Sequence, residues 1–291
     1  MIKLAFITDE ATQDIEEAIQ FAKTYGLQGL ELRSVEDKPI DEIVPSRWKE
    51  YHQLIEEAGL QVPNLAGSFF KCNPYHKDEV KANIQKLKRL CDAADIFECN
   101  YVRGFSFFAP KEGQLKPQEL VPYFDEPLKI LKERKKILLL ESDPSVNTTN
   151  HAAIADLLSF LDSLCFGAIY DPGNDIYDPD REVPFPDGYE KVKRYIHHIH
   201  IKDAIYDENG KPQCVRIGDG LVGYPDLLRR LLQDKYNGWL SLETHYRKHV
   251  TLTEEQMRIP QGSAFSSGGM EAAVESTQAL KKLLEEAKKP M

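Results

Sequence analysis

Four residues able to hold a divalent cation each close a short apolar run: Glu141 in KILLLES, Asp171 in FGAIYDPGN, His200 in IHHIHIKD and Glu243 in WLSLETH. A polar ligand at the end of a buried strand is where a barrel enzyme keeps its chemistry. Side-chain alternation along a strand assigns the faces. In IHHIHIKD, Ile199 and Ile201 face out, which turns His198, His200 and Lys202 inward. In LSLETH, Leu240, Leu242 and Thr244 face out and Ser241, Glu243 and His245 face in, while Glu141 and Asp143 share the inner face with Leu139. Carboxylates aimed into one pocket repel one another and lose solvation, a cost that a cation removes. Three carboxylates and an imidazole suit Mn²⁺ or Mg²⁺, admit Co²⁺ and Zn²⁺, and offer no thiolate to a softer metal. The alternative, polar strand ends satisfied by loops and water, fits any one of the four better than it fits all four together.

Such a site needs elements to position it. Strand-like apolar runs recur at 2–8, 28–33, 61–66, 99–106, 136–142, 165–171, 195–202 and 238–244, and segments of helical periodicity such as IEEAIQFAKTYG, WKEYHQLIEEAG and DLLRRLLQDKY separate them. Eight strand–helix units in a chain of 291 residues predict one closed (β/α)8 TIM barrel spanning residues 1–291, with an open doubly wound sheet as the alternative. Gly26 and Gly59 stand where C-terminal helix caps belong. Three connections on the strand-to-helix side are long, 67–77, 203–222 and 245–268, and all three would cover the catalytic face.

The bulk properties narrow the function. A formal net charge of −10 argues against nucleic acid as a partner. No apolar stretch approaches the roughly 20 residues that span a bilayer, and MIKLAFITDE opens into a strand, so no membrane partner and a cytoplasmic location are expected. The five cysteines are scattered and never in a C-x-x-C pair, which predicts reduced, mostly buried thiols. The stretch GDGLVG, Gly218 to Gly223, matches G-x-G-x-x-G, but it ends a long loop rather than a strand, so a dinucleotide fingerprint is rejected. A phosphate or hydroxyl site there, or a simple turn, remains open. Arg33 and Glu31 on the second run, Arg103 on the fourth and Lys202 on the seventh face inward, either to bind substrate or to form an internal ion-pair layer. His198, one inward step deeper than His200, supports the ligands or the core, and no histidine is placed to activate Ser68, Ser106 or Cys72 as a nucleophile.

With ITDEATQD, GLELRS, LLLESD, YDPGN, HHIHIKDA, RIGDG and GWLSLETH in order, nearly the whole chain resembles the xylose-isomerase-like TIM barrels. These include sugar phosphate isomerases, ketose 3-epimerases, inosose dehydratase and apurinic-site endonucleases. The resemblance implies one divalent metal on Glu141, Asp171, His200 and Glu243, with Glu141 and Glu243 doubling as the acid/base pair around a metal-stabilised enediolate. It implies a small sugar, sugar phosphate or related polyol as substrate, isomerised or epimerised. Substrate-binding candidates are Lys202, Arg216, Asn174, His198, Arg103 and Arg33. The superfamily often forms dimers or tetramers, so the resemblance allows a homo-oligomer without fixing the oligomeric state. Two departures argue against a free ketohexose: Asn174 stands where the ketose 3-epimerases place a histidine, and Arg216 lies farther along the chain from the metal histidine than their substrate arginine. The endonuclease reading is set aside, since His52, His76 and His151 close no strand. A dehydratase of a keto-polyol and a non-catalytic sugar-binding barrel are the alternatives.

Overall fold

The structure is a computed structural model and describes residues 1–111 and 113–289. Eight parallel strands carry the fold: β1 (Lys3–Ile7), β2 (Gly29–Glu31), β3 (Leu65–Phe69), β4 (Tyr101–Gly104), β5 (Ile137–Leu140), β6 (Phe166–Tyr170), β7 (Ile196–Ile201) and β8 (Trp239–Leu242). Each pairs with its sequence neighbour and β8 pairs with β1. The ring closes between β2 and β3 through single bridges, Gly29 to Gln61 and Leu32 to Leu65. This is the TIM barrel expected from the alternation.

The third strand is the one that moved. The run at 61–66 predicts a strand there, whereas β3 begins at Leu65 and only Gln61 of the earlier stretch pairs. Pro63 has no N–H to give a ladder and breaks the pairing between the two points. Around the barrel run α1 (Ile15–Tyr25), α2 (Pro45–Glu57), α3 (Lys77–Ile96), α4 (Asp125–Arg134), α5 (His151–Leu161), the single turn α6 (Tyr189–Val192), α7 (Tyr224–Gln233) and α8 (Gly269–Ala287). Asp14 caps the start of α1 by accepting the Glu16 and Glu17 N–H groups, and Gly26 ends it at φ 63°. Gly59 follows α2 at φ 73°. Outward residues of the strands, among them Phe6, Leu30, Val102, Leu138, Leu140, Ile199, Ile201, Leu240 and Leu242, join one apolar layer beneath the helices. Polar residues are thereby left to the interior and its C-terminal rim.

Two of the three long connections carry secondary structure of their own. Residues Asp203–Tyr206 and Pro212–Val215 form an antiparallel hairpin, turned by Asp207, whose carboxylate accepts the Asn209 and Lys211 N–H groups. The connection after β8 contains the short helices Glu254–Arg258 and Gly262–Ser266. A smaller hairpin, Ser34–Val35 with Lys38–Pro39, follows β2. All five cysteines are free, with Cys72, Cys91 and Cys99 buried. No helix among the described residues is long and apolar enough to cross a membrane.

Candidate metal centre and active site

Glu141, Asp171, His200 and Glu243 come from four adjacent strands, β5 to β8, at their C-terminal ends. Their ligand atoms all lie within 4.8 Å of one another, and all four side chains are buried. His200 Nδ1 is 2.7 Å from Glu141 Oε1 and 3.4 Å from Glu243 Oε2. Asp171 directs Oδ1 back to the N–H groups of Gly173 and Asn174, capping the one-turn helix Pro172–Asp175, so that Oδ2 faces the site. A Cβ on Gly173 would stand 2.7 Å from the Lys202 carbonyl oxygen, and the DPGN turn packs this closely against β7 only because glycine has none.

Cations surround these acids. Lys202 Nζ lies 2.8 Å from Asp171 Oδ2, 2.9 Å from Glu243 Oε2 and 3.0 Å from Asn174 Oδ1. Arg103 donates to Glu141 Oε2 at 2.9 Å and to the carbonyls of Gly67 and Ala66. Arg33 Nη1 meets Glu243 Oε1 at 2.6 Å while its other donors take Asp9 and Glu10. Burial works to raise the Glu243 carboxyl, but Lys202 and His200 hold it well below the usual range. Asp171 goes the other way: burial, with Lys202 opposing, pushes it up to about 6. Burial would lower His200, and Glu31, Glu141 and Glu243 together raise it well above its ordinary value. Hard oxygen donors, a single imidazole nitrogen and their separations fit a divalent cation.

Above the four donors opens a cavity of about 1310 Å³. Glu141 and Glu243 line it, as do Arg33, Arg103, Asn174 and Lys202, whereas Asp171 and His200 sit behind. His198 lies below, against Glu31. Arg216 is outside the cavity lining, paired with Asp219 at the surface. The GDGLVG segment also has its anion, supplied by the chain itself: Asp203 accepts the N–H groups of Gly218 and Gly220 on Oδ2 and of Val222 and Ala204 on Oδ1.

Three further acids and a histidine belong to this layer without having been singled out. Asp9 and Glu10 follow β1 and bind Arg33, and Glu10 also stands 2.8 Å from His245 Nδ1, a contact whose ring orientation does not make an aligned hydrogen bond. The strand-end rule that finds Glu141 applies equally to them. His151, the first residue of α5, bonds Asp175 through Nδ1 at 2.6 Å and accepts the Asp171 N–H on Nε2 at 3.1 Å. That N–H requires a lone pair, so Nδ1 carries the proton even though, against burial, Asp175 pulls the His151 pKa up. Nothing in the sequence around His151 marks this role, because it begins a helix and meets the site only through the fold.

A parallel barrel with a buried carboxylate–imidazole cluster at its C-terminal rim defines the class. The chain belongs to the xylose isomerase-like TIM barrel family, whose model matches residues 19–283. No curated protein matches the sequence. Among solved structures, L-ribulose 3-epimerase superposes with a TM-score of 0.74 at 14% identity, covering 99% of this chain and 96% of that one. The IOLI protein with a bound zinc atom gives 0.72 at 15%, covering 99% and 100%. The probable 3-DHS dehydratase AsbF from Bacillus anthracis gives 0.69 at 15%, covering 96% and 99%. At these identities the likeness is one of fold.

Proposed function

We propose that the protein is a divalent-metal-dependent isomerase or epimerase of a small sugar, sugar phosphate or related polyol, with Glu141, Asp171, His200 and Glu243 as metal ligands. One observation carries the reading: of the four donors, Glu141 and Glu243 alone line the cavity. These are the two that such chemistry requires as acid and base. When bound, a divalent cation polarises a substrate carbonyl and the neighbouring hydroxyl oxygen and acidifies the C–H between them. One glutamate then removes that proton and the other returns one. Return to the same carbon from the opposite face gives an epimer, and return at the adjacent carbon gives an aldose/ketose isomer. Arg103 on Glu141, and Arg33 and Lys202 on Glu243, keep both side chains ionised and pointed. Lys202 and Asn174 line the cavity, and on this reading a substrate oxygen would be held by Asn174 or would exchange for one of the three partners of the Lys202 ammonium.

A second reading, elimination of water from a keto-polyol, begins with the same proton removal. His245 favours it: on the inner face two residues past Glu243 it lines the cavity, where a departing hydroxide would need a proton donor. The test is metal analysis of the purified protein beside Glu243→Gln and His200→Ala, followed by a screen of sugars, sugar phosphates and keto-polyols with product identification. Near-stoichiometric Mn, Mg, Co or Zn, reduced in both variants, supports the site. Absence of bound metal together with no thermal stabilisation on adding it defeats the reading.

A further inference from the structure

We propose that Glu31 is a positioning residue for the metal centre, clamping His198 and His200 so that the Nδ1 lone pair of His200 faces Glu141, Asp171 and Glu243. The inference rests on the metal reading above and extends it one layer down into the barrel.

Glu31 closes β2, three strands round the ring from β7, and is fully buried. Its Oε1 lies 2.9 Å from His200 Nε2 and its Oε2 2.8 Å from His198 Nε2. An ionised carboxylate can only accept, so each imidazole nitrogen facing it carries a proton. A metal-binding imidazole is neutral and has one N–H, and with that proton held on Nε2 the Nδ1 of His200 would supply the ligating lone pair, on the side where the three carboxylates converge. The reverse tautomer would set a lone pair against a buried anion. An anionic acceptor on the far nitrogen also makes the ligating nitrogen a stronger donor, the arrangement in which metal-bound imidazoles are usually held.

The surroundings over-determine the clamp. Asn64, just before β3, donates to Glu31 Oε1 at 2.7 Å, so that oxygen is fixed from a third direction. The two imidazole rings stand edge to face at 86° with centroids 5.3 Å apart, packed against each other. His198 Nδ1 is buried with no partner. That is tolerable for a lone pair and costly for an N–H, so His198 too is held with its proton toward Glu31. His198 thus acts from beneath, through Glu31, rather than on the substrate.

The experiment compares the full-length wild type, Glu31→Gln and His200→Ala for Zn²⁺ affinity by chelator competition, and for the proton spectrum of the Co²⁺-loaded proteins. Glutamine keeps the size but loses the charge and one acceptor, and a 10- to 100-fold weaker Zn²⁺ Kd is expected, roughly the usual loss for an outer partner of a ligating imidazole. In the Co²⁺-loaded wild type, one solvent-exchangeable, paramagnetically shifted N–H should belong to His200, vanish in His200→Ala and move in Glu31→Gln. A folded Glu31→Gln that binds Zn²⁺ as tightly as wild type overturns the clamp while leaving the metal site intact. A wild type that binds no metal overturns both. Should Glu31→Gln fail to fold, the wild-type signal decides: absence of an exchangeable shifted proton assignable to His200 overturns the proposal.

Discussion

Replacing Asp203 by asparagine removes one of the two acceptor oxygens on which the seventh loop is hung. In the wild type, Oδ2 takes Gly218 N at 2.9 Å and Gly220 N at 3.0 Å, while Oδ1 takes Ala204 N at 3.0 Å and Val222 N at 3.3 Å. The fit is tight enough that a Cβ on Gly220 would fall 2.1 Å from Asp203 Oδ1. Asparagine keeps an acceptor for two of these donors and turns an NH₂ toward the other two. Hydrogen bonds to a charged group contribute about 1.5–3 kcal/mol each, so the loss of two comes to roughly 3–6 kcal/mol. Burial pushes the Asp203 carboxyl up while the four N–H groups pull it back, and a neutral side chain escapes that burial cost. A net destabilisation of about 2–4 kcal/mol is expected, measured by urea unfolding. Asp203→Gly adds a direct check, because it opens the four donors to solvent. Inorganic phosphate should then raise the melting temperature of that variant and leave the wild type where it is. The reasoning fails if Asp203→Asn unfolds within about 0.5 kcal/mol of wild type, or if phosphate stabilises both proteins equally.

Stability should fall in acid for a stated reason. Against burial, His245 holds Glu10, and His200 and His198 hold Glu31, below the ordinary value of 4.5, so the stability they contribute is complete above that pH and is lost as pH falls through their lower folded values. A melting temperature that drops below about pH 4.5, with a shallower drop in Glu10→Gln, is the expected result, and a flat or rising acid limb contradicts it. Gly173→Ala should cost about 1–3 kcal/mol, since its Cβ would meet the Lys202 Cβ at 2.6 Å and an immovable backbone oxygen at 2.7 Å. The same shift moves the turn capped by Asp171, so Mn²⁺ binding should weaken with it, and a variant unchanged in both urea unfolding and metal titration would refute the packing argument.

Periodicity made the barrel legible because strands and helices impose repeats of two and 3.6 on whichever residues must be buried. It also made the four candidate ligands legible, since a strand that faces helices on one side must turn its alternate residues inward: Ile199 and Ile201 fix where His200 points, and Leu240 and Leu242 fix Glu243. The same rule failed at β3, where the apolar run and the paired segment differ by several residues because Pro63 interrupts the ladder. It was silent on His151, which meets Asp171 through a backbone N–H that no side-chain pattern records. For the Gly-rich segment the sequence left an anion site and a simple turn both open. Its glycines do present N–H groups to an anion, but the anion is a side chain 15 residues upstream of Gly218.

On the proposed function, the choice of substrate would rest with a part of the molecule that periodicity does not govern. The floor of the cavity is strand ends, yet much of its wall comes from three loops: Asp37 and Pro39 of the first hairpin, Lys211 to Cys214 of the second, and the stretch from Lys248 to Gln261. These loops are tied to one another by contacts that depend on single residues. Gly262 N donates to Ser34 Oγ at 3.1 Å, joining the third loop to the first, and the Arg258 guanidinium lies over the ring of Phe108 in the connection after β4. On the proposed proton transfer, the wall that holds the substrate would decide whether Glu141 and Glu243 meet opposite faces of one carbon or two adjacent carbons. Epimerase and isomerase chemistry therefore share the residues that were readable and differ in those that were not. Exchanging the 245–268 loop, with the four ligands untouched, is the change that should alter which product forms without altering how tightly the metal is held.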